Sequence, residues 1–234
     1  MNYLITGASR GIGYDLALQL ASQRGNRVLA VSRRAEKLQQ LQDAVAKCAD
    51  PGQLDFLSYD LNDPDEVSLL AKVAALGGLD ILVNNAGSLV KKPFLELGRS
   101  DWQQMFDTNF FGPLALIRTL FPFLRDSSRA HIVNISSMGG FQGSSKFSGL
   151  SAYSASKAAL GNLTESLAEE FTESGIAVNC LALGAVQTEM LAEAFPGYEA
   201  PLDSASMAAF VAFFAAEGSR FFNGKILPVS LSTP

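Results

Sequence analysis

The 234-residue chain has one histidine, His131, two cysteines, Cys48 and Cys180, and one tryptophan. Each scarcity removes a class of chemistry. A single imidazole excludes a histidine-rich metal site by count. A Ser–His–Asp hydrolase would have to rest on His131, which opens the apolar run His131-Ile-Val-Asn-Ile and reads as a residue at the edge of a strand. Two cysteines far apart form neither a disulfide framework nor a CxxC metal spacing, as expected in a reducing compartment. Basic residues are few as well: 18 Lys and Arg stand against 23 Asp and Glu, with no basic run, so nucleic acid is not an expected partner. No apolar stretch is long enough for a bilayer. The start, MNYLITGASRG, lacks a charged segment followed by an apolar one, so no signal peptide is expected. The resulting expectation is a soluble cytoplasmic protein with no metal and no membrane partner.

What is plentiful is apolar surface, at 48% of residues, enough to build a core without staples. The length suits one domain over residues 1–234. No repeat, low-complexity segment or linker interrupts it. Short apolar runs at 3–6, 27–31, 54–59, 79–84, 130–136, 176–181 and 225–229 read as strands. Longer patterns at 11–24, 35–47, 64–76, 100–125, 151–174 and 204–217 read as helices. Strands that are apolar throughout belong to sheets buried on both sides. The alternation therefore predicts a doubly wound, Rossmann-like α/β fold, with a mostly parallel seven-stranded sheet and helices on both faces. Pro64, after Asn62-Asp63, is placed as a cap and first turn. Gly25 and Gly175 follow helices and suit the left-handed cap conformation. The irregular stretches 139–150 and 191–203 are the expected ligand loops.

The first strand runs into Thr6-Gly7-Ala8-Ser9-Arg10-Gly11-Ile12-Gly13 and then a helix. Glycines there permit a tight reversal and close backbone approach to a pyrophosphate, and the helix N-terminus offers unpaired N–H groups to the anion. The second strand ends Val31-Ser32-Arg33-Arg34. NAD enzymes usually carry a carboxylate at that point. Here Ser32 replaces it and two arginines follow, which suit a 2′-phosphate through charge-assisted contacts. Arg34 reads equally as a solvated charge opening the next helix. Tyr153 and Lys157 are four apart on an expected helix and so share a face. A free phenol, with a pKa of about 10, needs a neighbouring positive charge to serve as a base near neutrality.

TGASRGIG, with these later elements in order, resembles the short-chain dehydrogenase/reductase family, single-domain type, over essentially the whole chain. The resemblance implies an NADP(H)-dependent oxidoreductase acting on a carbonyl or secondary alcohol, NADP(H) being preferred over NAD(H). It places Gly7, Ser9, Arg10, Gly11, Ile12 and Gly13 at the pyrophosphate, with Ser9, Arg10 and Arg33 selecting NADP(H) and Ser32 also at the cofactor. Asp60 and Leu61 would contact adenine, although Asp60 also reads as closing a turn with Asn62 and Asp63. Asn85, Ala86 and Gly87 would line the adenosine side. Tyr153 becomes the proton donor and acceptor, and Lys157 binds the ribose and lowers the phenol pKa. Ser137, with Ser136 as the fallback register, polarises the carbonyl. Asn109 would hold a helix irregularity and a relay water, against the competing reading of a buried, backbone-bonded asparagine. Gly184, Val186 and Thr188 would hold the nicotinamide.

Two departures from the family stand out. Leu183 replaces the usual proline before Gly184, which is expected to loosen the turn. The end, Pro228–Pro234, lacks a glycine-rich tail. Ser137 and Tyr153 are sixteen apart, so the residues within 143–149 are expected to enlarge the loop beside the substrate. Phe141, Phe147, Leu150, Met190, Leu191, Phe195 and Tyr198 outline an apolar pocket, with Lys146 as the cation available to an acidic substrate. A homodimer or homotetramer joined through the helices at 100–125 and 151–174 is expected from the family. An isomerase, epimerase or dehydratase is disfavoured because no C-terminal substrate domain follows. A non-catalytic NADP(H)-binding regulator is a further alternative, though the Ser–Tyr–Lys set is complete. So is a 3-oxoacyl reductase acting on acyl-carrier protein, for which Lys91, Lys92 and Arg99 make only a sparse docking patch.

Overall fold

Seven apolar runs form strands in the computed structural model, which describes residues 1–231. The last three positions of the tail lie outside the described residues. The strands are β1 (Asn2–Thr6), β2 (Arg27–Ser32), β3 (Gln53–Ser58), β4 (Ile81–Asn84), β5 (His131–Ser137), β6 (Ala177–Leu183) and β7 (Ile226–Val229). All pair in parallel, in the order β3-β2-β1-β4-β5-β6-β7. Direction of progression reverses between β1 and β4, and a crevice opens beyond the strand ends at such a switch point.

Eight helices connect them: α1 (Gly11–Ala21), α2 (Ala35–Val45), α3 (Glu66–Leu76), α4 (Arg99–Phe106), α5 (Gly112–Arg125), α6 (Ser151–Glu170), α7 (Glu189–Ala194) and α8 (Ser204–Glu217). Strand side chains alternate between two cores. Tyr3, Ile5, Val28 and Ala30 pack with α1, α2 and α8 on one face. Leu4, Leu29, Val31 and Ile132 pack with α3 and α5 on the other. Each such leucine or isoleucine, fully buried, contributes about 1.5–3 kcal/mol, so both faces hold the sheet. The doubly wound fold read from the sequence is the observed one.

Several local readings change. The helix expected at 64–76 starts at Glu66, capped by Asp65, whose Oδ1 accepts from Ser68 N at 3.1 Å. Asn62 and Asp63 do not cap it, because they close a turn on Asp60. The single helix expected at 100–125 is α4, a five-residue π-helical segment Asp107–Phe111, and α5. Pro113 explains the break, since it has no N–H to give the Asn109 carbonyl and its ring crowds that oxygen. β6 runs two residues further than expected, through Leu183, which pairs with both Ser137 and Val229. Leucine at that position continues the ladder and does not loosen the turn. Helix α7 runs into the start of the stretch 191–203 read as loop. Gly25 and Gly175 do adopt positive φ, at 85° and 68°. No helix among the described residues is long and apolar enough to cross a membrane.

Candidate active site

The C-terminal strand ends surround one cleft of about 900 Å³. One half of it is built on the first turn. Gly7 and Gly11 take positive φ, at 70° and 55°. The turn then packs so closely that a Cβ on Gly13 would lie 2.5 Å from the Gly7 carbonyl oxygen and inside the Asn85 amide. Thr6 clamps this turn to the end of β4, its Oγ1 accepting from Asn85 N at 3.1 Å and Ala86 N at 2.9 Å. The Asn85 side chain returns the bond, donating to Thr6 O at 2.9 Å. Helix α1 begins without a side-chain cap and with no acid in its first turn. Its leading N–H groups therefore stay available to an anion at the cleft.

The far end of this half is basic. Arg10, Arg33 and Arg34 line it with Ser9, Ser32, Asp60 and Leu61. Ser32 Oγ accepts from Arg34 N at 3.2 Å, and Arg34 is also the residue from which α2 starts. Arg33 faces Asp60 across 3.9 Å, and Arg10 is held by Glu193 at 3.1 Å.

Ser137, Tyr153 and Lys157 converge at the other half. β5 ends at Ser137, and α6 carries Tyr153 and Lys157 one turn apart on the face it turns to the sheet. Ser137 stands beside the Tyr153 phenol as a hydrogen-bonding neighbour, and its Oγ accepts from Gly139 N at 3.2 Å. Ser136, the fallback position, is turned inward and donates to Lys157 O at 2.8 Å. Lys157 Nζ donates to Ile135 O at 2.8 Å and lies beside Gly87. Burial pulls the Lys157 ammonium down to about 8, with the Cys180 thiol pulling the other way. Burial also pushes the Tyr153 phenol up, and the Ser137 bond offsets part of that rise. In the protein alone, desolvation therefore outweighs the pKa-lowering effect expected from Lys157.

Asn109 is the one member of the expected set that does not line the cleft. It is fully buried in the π-helical segment behind the wall. Its Oδ1 accepts from Ser88 N at 2.9 Å, and its Nδ2 donates to Ser88 O and Ser156 Oγ, both at 3.0 Å. It thus sits at a helix irregularity and is also backbone-bonded. Gly184 and Val186 line the cleft after β6. The Thr188 hydroxyl caps α7, accepting from Leu191 N at 3.3 Å.

Phe147, Leu150, Met190, Leu191, Phe195 and Tyr198 wall the substrate side, and Phe141 does not reach it. Phe195 meets Phe147 edge-on, with centroids 6.1 Å apart. Lys91 covers the Phe195 ring at 3.9 Å and donates to Ala194 O at 2.9 Å. Lys146 is turned into its own loop, donating to Gly139 O at 2.9 Å and Phe141 O at 2.6 Å. It is not free for an acidic substrate. The sole histidine plays no part in the cleft. His131 is fully buried at the opposite end of β5, where it opens the strand as expected. Its Nδ1–H donates to Ala215 O at 2.9 Å and its Nε2 accepts from Asn179 Nδ2 at 3.0 Å.

Sequence reasoning missed the Thr6 clamp, the Ser156 contact and the Arg10–Glu193 pair. Thr6 opens the TGASRGIG motif and Ser156 lies between Tyr153 and Lys157, so their positions were visible and only their partners were not. Glu193 carried no signal.

The short chain dehydrogenase family model matches residues 2–199. An uncharacterized oxidoreductase of Myxococcus xanthus is 37% identical over 199 residues, covering 81% of this chain and 73% of its own length. Among solved structures, a short-chain type dehydrogenase/reductase from Mycobacterium marinum superposes with a TM-score of 0.87 at 27% identity, covering 98% of this chain and 93% of that one. A Beutenbergia cavernae protein assigned as an NAD(P)-dependent gluconate 5-dehydrogenase, with NADP bound at low occupancy, gives 0.86 at 28% identity over 98% and 94% of the two chains.

Proposed function

This chain belongs to the short-chain dehydrogenase family and is an oxidoreductase of that type, and we propose that it reduces an apolar carbonyl compound, or oxidises the matching secondary alcohol, with NADP(H). One observation carries the reading: a single cleft joins a basic end, with Arg10, Arg33 and Arg34, to the Ser137–Tyr153–Lys157 cluster. The residues present fit the cofactor. The uncapped start of α1 and the positive φ of Gly7 and Gly11 make an anion cradle. The neighbouring guanidinium groups suit a 2′-phosphate. Gly7, Ser9, Gly11, Ile12 and Gly13 would hold the pyrophosphate, Ser32, Arg10 and Arg33 the phosphorylated ribose, and Asp60 and Leu61 the adenine. Asn85, Ala86 and Gly87 would line the adenosine, with Gly184, Val186 and Thr188 at the nicotinamide. When bound, the nicotinamide supplies or accepts the hydride.

The chain's own residues do the rest. Ser137 donates a hydrogen bond to the carbonyl oxygen, and Tyr153 transfers its proton to that oxygen. A phenol pushed up by burial keeps its proton through neutral pH, which suits reduction. Lys157 holds the nicotinamide ribose, and Asn109 fixes the backbone around Ser88 beside it. The apolar wall excludes water, and with Lys91 and Lys146 both engaged the substrate is a neutral molecule. The same engagement disfavours acyl-carrier protein, because Lys92 is also paired, with Asp101 at 2.7 Å. The chain acts as one cofactor-binding domain in the cytoplasm and assembles as a homodimer or homotetramer. The long helices α5 and α6 provide one candidate contact, and the exposed Phe213 and Phe221 provide another.

The test is titration with NADPH and NADH, followed by nicotinamide fluorescence, and then a panel of neutral ketones and aldehydes. Tighter NADPH binding and its consumption by a neutral carbonyl are expected. Arg33→Ala should raise the Michaelis constant for NADPH far more than that for NADH. Equal effects on both would overturn the NADP assignment, and failure to bind either cofactor would overturn the whole reading.

A further inference from the structure

Arg10 already has a partner. Its Nη1 lies 3.1 Å from Glu193 Oε1, joining the turn before α1 to the last turn of α7 across 183 positions of sequence. The Arg10 side chain is 32% exposed, against 73% for Arg33, so it is the more sheltered of these two guanidinium groups. Helix α7 leans on the same turn elsewhere. The Thr188 methyl group and a Glu189 carboxylate oxygen lie 3.2 and 3.8 Å from where a Gly11 Cβ would stand. A carboxylate on α7 therefore occupies the cation that the proposed function gives to the 2′-phosphate.

We propose that Glu193 is a built-in competitor for that phosphate: it holds Arg10 until a 2′-phosphorylated nucleotide displaces it, and so sets how strongly NADP is preferred to NAD. The inference rests on the NADP reading above. Exchange favours the nucleotide, because the carboxylate makes one contact with one nitrogen. A phosphate carries more charge and can take the guanidinium fork with two oxygens. The exchange also releases α7 from the phosphate turn. The next two residues, Ala194 and Phe195, are those held by Lys91, so the roof over the substrate side is tied to the identity of the cofactor.

The experiment is calorimetric titration of 2′,5′-ADP and 5′-AMP into the wild type, Glu193→Gln, Arg10→Ala and the double variant. An exposed ion pair is a weak competitor, so Glu193→Gln should bind 2′,5′-ADP about two- to fivefold tighter. Its affinity for 5′-AMP should not move, and in the Arg10→Ala background the glutamine should have no effect. Glu193→Asp should lie between glutamine and wild type. A shift of both ligands together would mean that α7 packing had changed, and would overturn the proposal. No shift, or a shift that survives loss of Arg10, would overturn it as well. A wild type that prefers 2′,5′-ADP with a ratio unmoved by Glu193→Gln removes the role of Glu193 and leaves the NADP reading standing. Absence of any preference in all four proteins removes both.

Discussion

The two rims of the sheet carry similar kinds of side chain and use them in opposite ways. At the N-terminal rim Asp80 accepts from Asn2 N at 2.8 Å and from Ser127 Oγ at 2.6 Å, and Arg27 donates to Leu76 O at 2.8 Å. His131 has both ring nitrogens bonded, and Tyr3 is fully buried. At the C-terminal rim a serine, a tyrosine, a lysine and three arginines face a cleft of about 900 Å³. Residue type does not distinguish the rims: each has a tyrosine whose phenol burial pushes up. What differs is whether polar groups are used up inside the protein or held at the wall of a space that a ligand can enter.

The sharpest break would come from exchanging the two tyrosines for phenylalanine in turn. Tyr153→Phe should lower turnover about 10²- to 10⁴-fold, the usual contribution of a general acid, while cofactor binding persists. Tyr3→Phe should leave turnover near normal. Steady-state kinetics on both variants decides, and near-normal turnover by Tyr153→Phe would erase the distinction.

Acidification should find the N-terminal rim. Burial holds the His131 imidazole down at about 4, against its ordinary 6.5. The folded state resists a proton that the unfolded chain accepts, so the stability from this residue is complete above about pH 6.5 and falls as pH drops towards 4. A difference of that size corresponds to about 3 kcal/mol. Urea denaturation at pH 7 and pH 4.5 should show most of that loss, and His131→Gln should lack it. A wild-type loss no greater than the variant's would show that the imidazole is not the sensor.

Within the C-terminal rim the first turn is closely packed at Gly13. Gly13→Ala forces a methyl group into the Asn85 amide and the Gly7 carbonyl, which should cost about 1–3 kcal/mol of stability by overpacking. Nucleotide affinity should fall with it. Calorimetric unfolding that is unchanged would contradict the close contact. The smallest effect belongs to the roof. Phe195→Ala removes the ring between Phe147 and Lys91 and should raise the substrate Michaelis constant less than about tenfold, the scale of one lost apolar contact. The Kd for 5′-AMP should not change, and an equal shift in both would join halves that the geometry separates.

Much of this was legible in one dimension. Periodicity gave all seven strands, because a strand buried on both sides must be apolar at nearly every position. Glycine spacing marked the first turn, because only glycine fits both positive φ and the approach of Asn85. The Tyr153–Lys157 spacing put two side chains on one helix face by helical geometry alone. Less legible was the break at Asn109, which Pro113 announces only when its missing N–H is traced back one turn. Leu183 was misread for a related reason: without proline's missing donor, the ladder simply continued.

Tertiary structure decided the rest, because it concerned partners distant in sequence. Whether Lys146 was free for a substrate depended on a loop folding back to its ammonium. Whether His131 was reactive depended on Asn179 and Ala215 arriving from β6 and α8. Whether Tyr153 rose or fell in pKa depended on desolvation against charge, a balance fixed by what surrounds the phenol and absent from the spacing of its neighbours. The sequence by itself determined the scaffold and the identity of the groups at its C-terminal rim. Only the folded chain determined which of those groups kept a hand free, because hydrogen bonds are settled at about 3 Å and the chain must be in place before that distance exists.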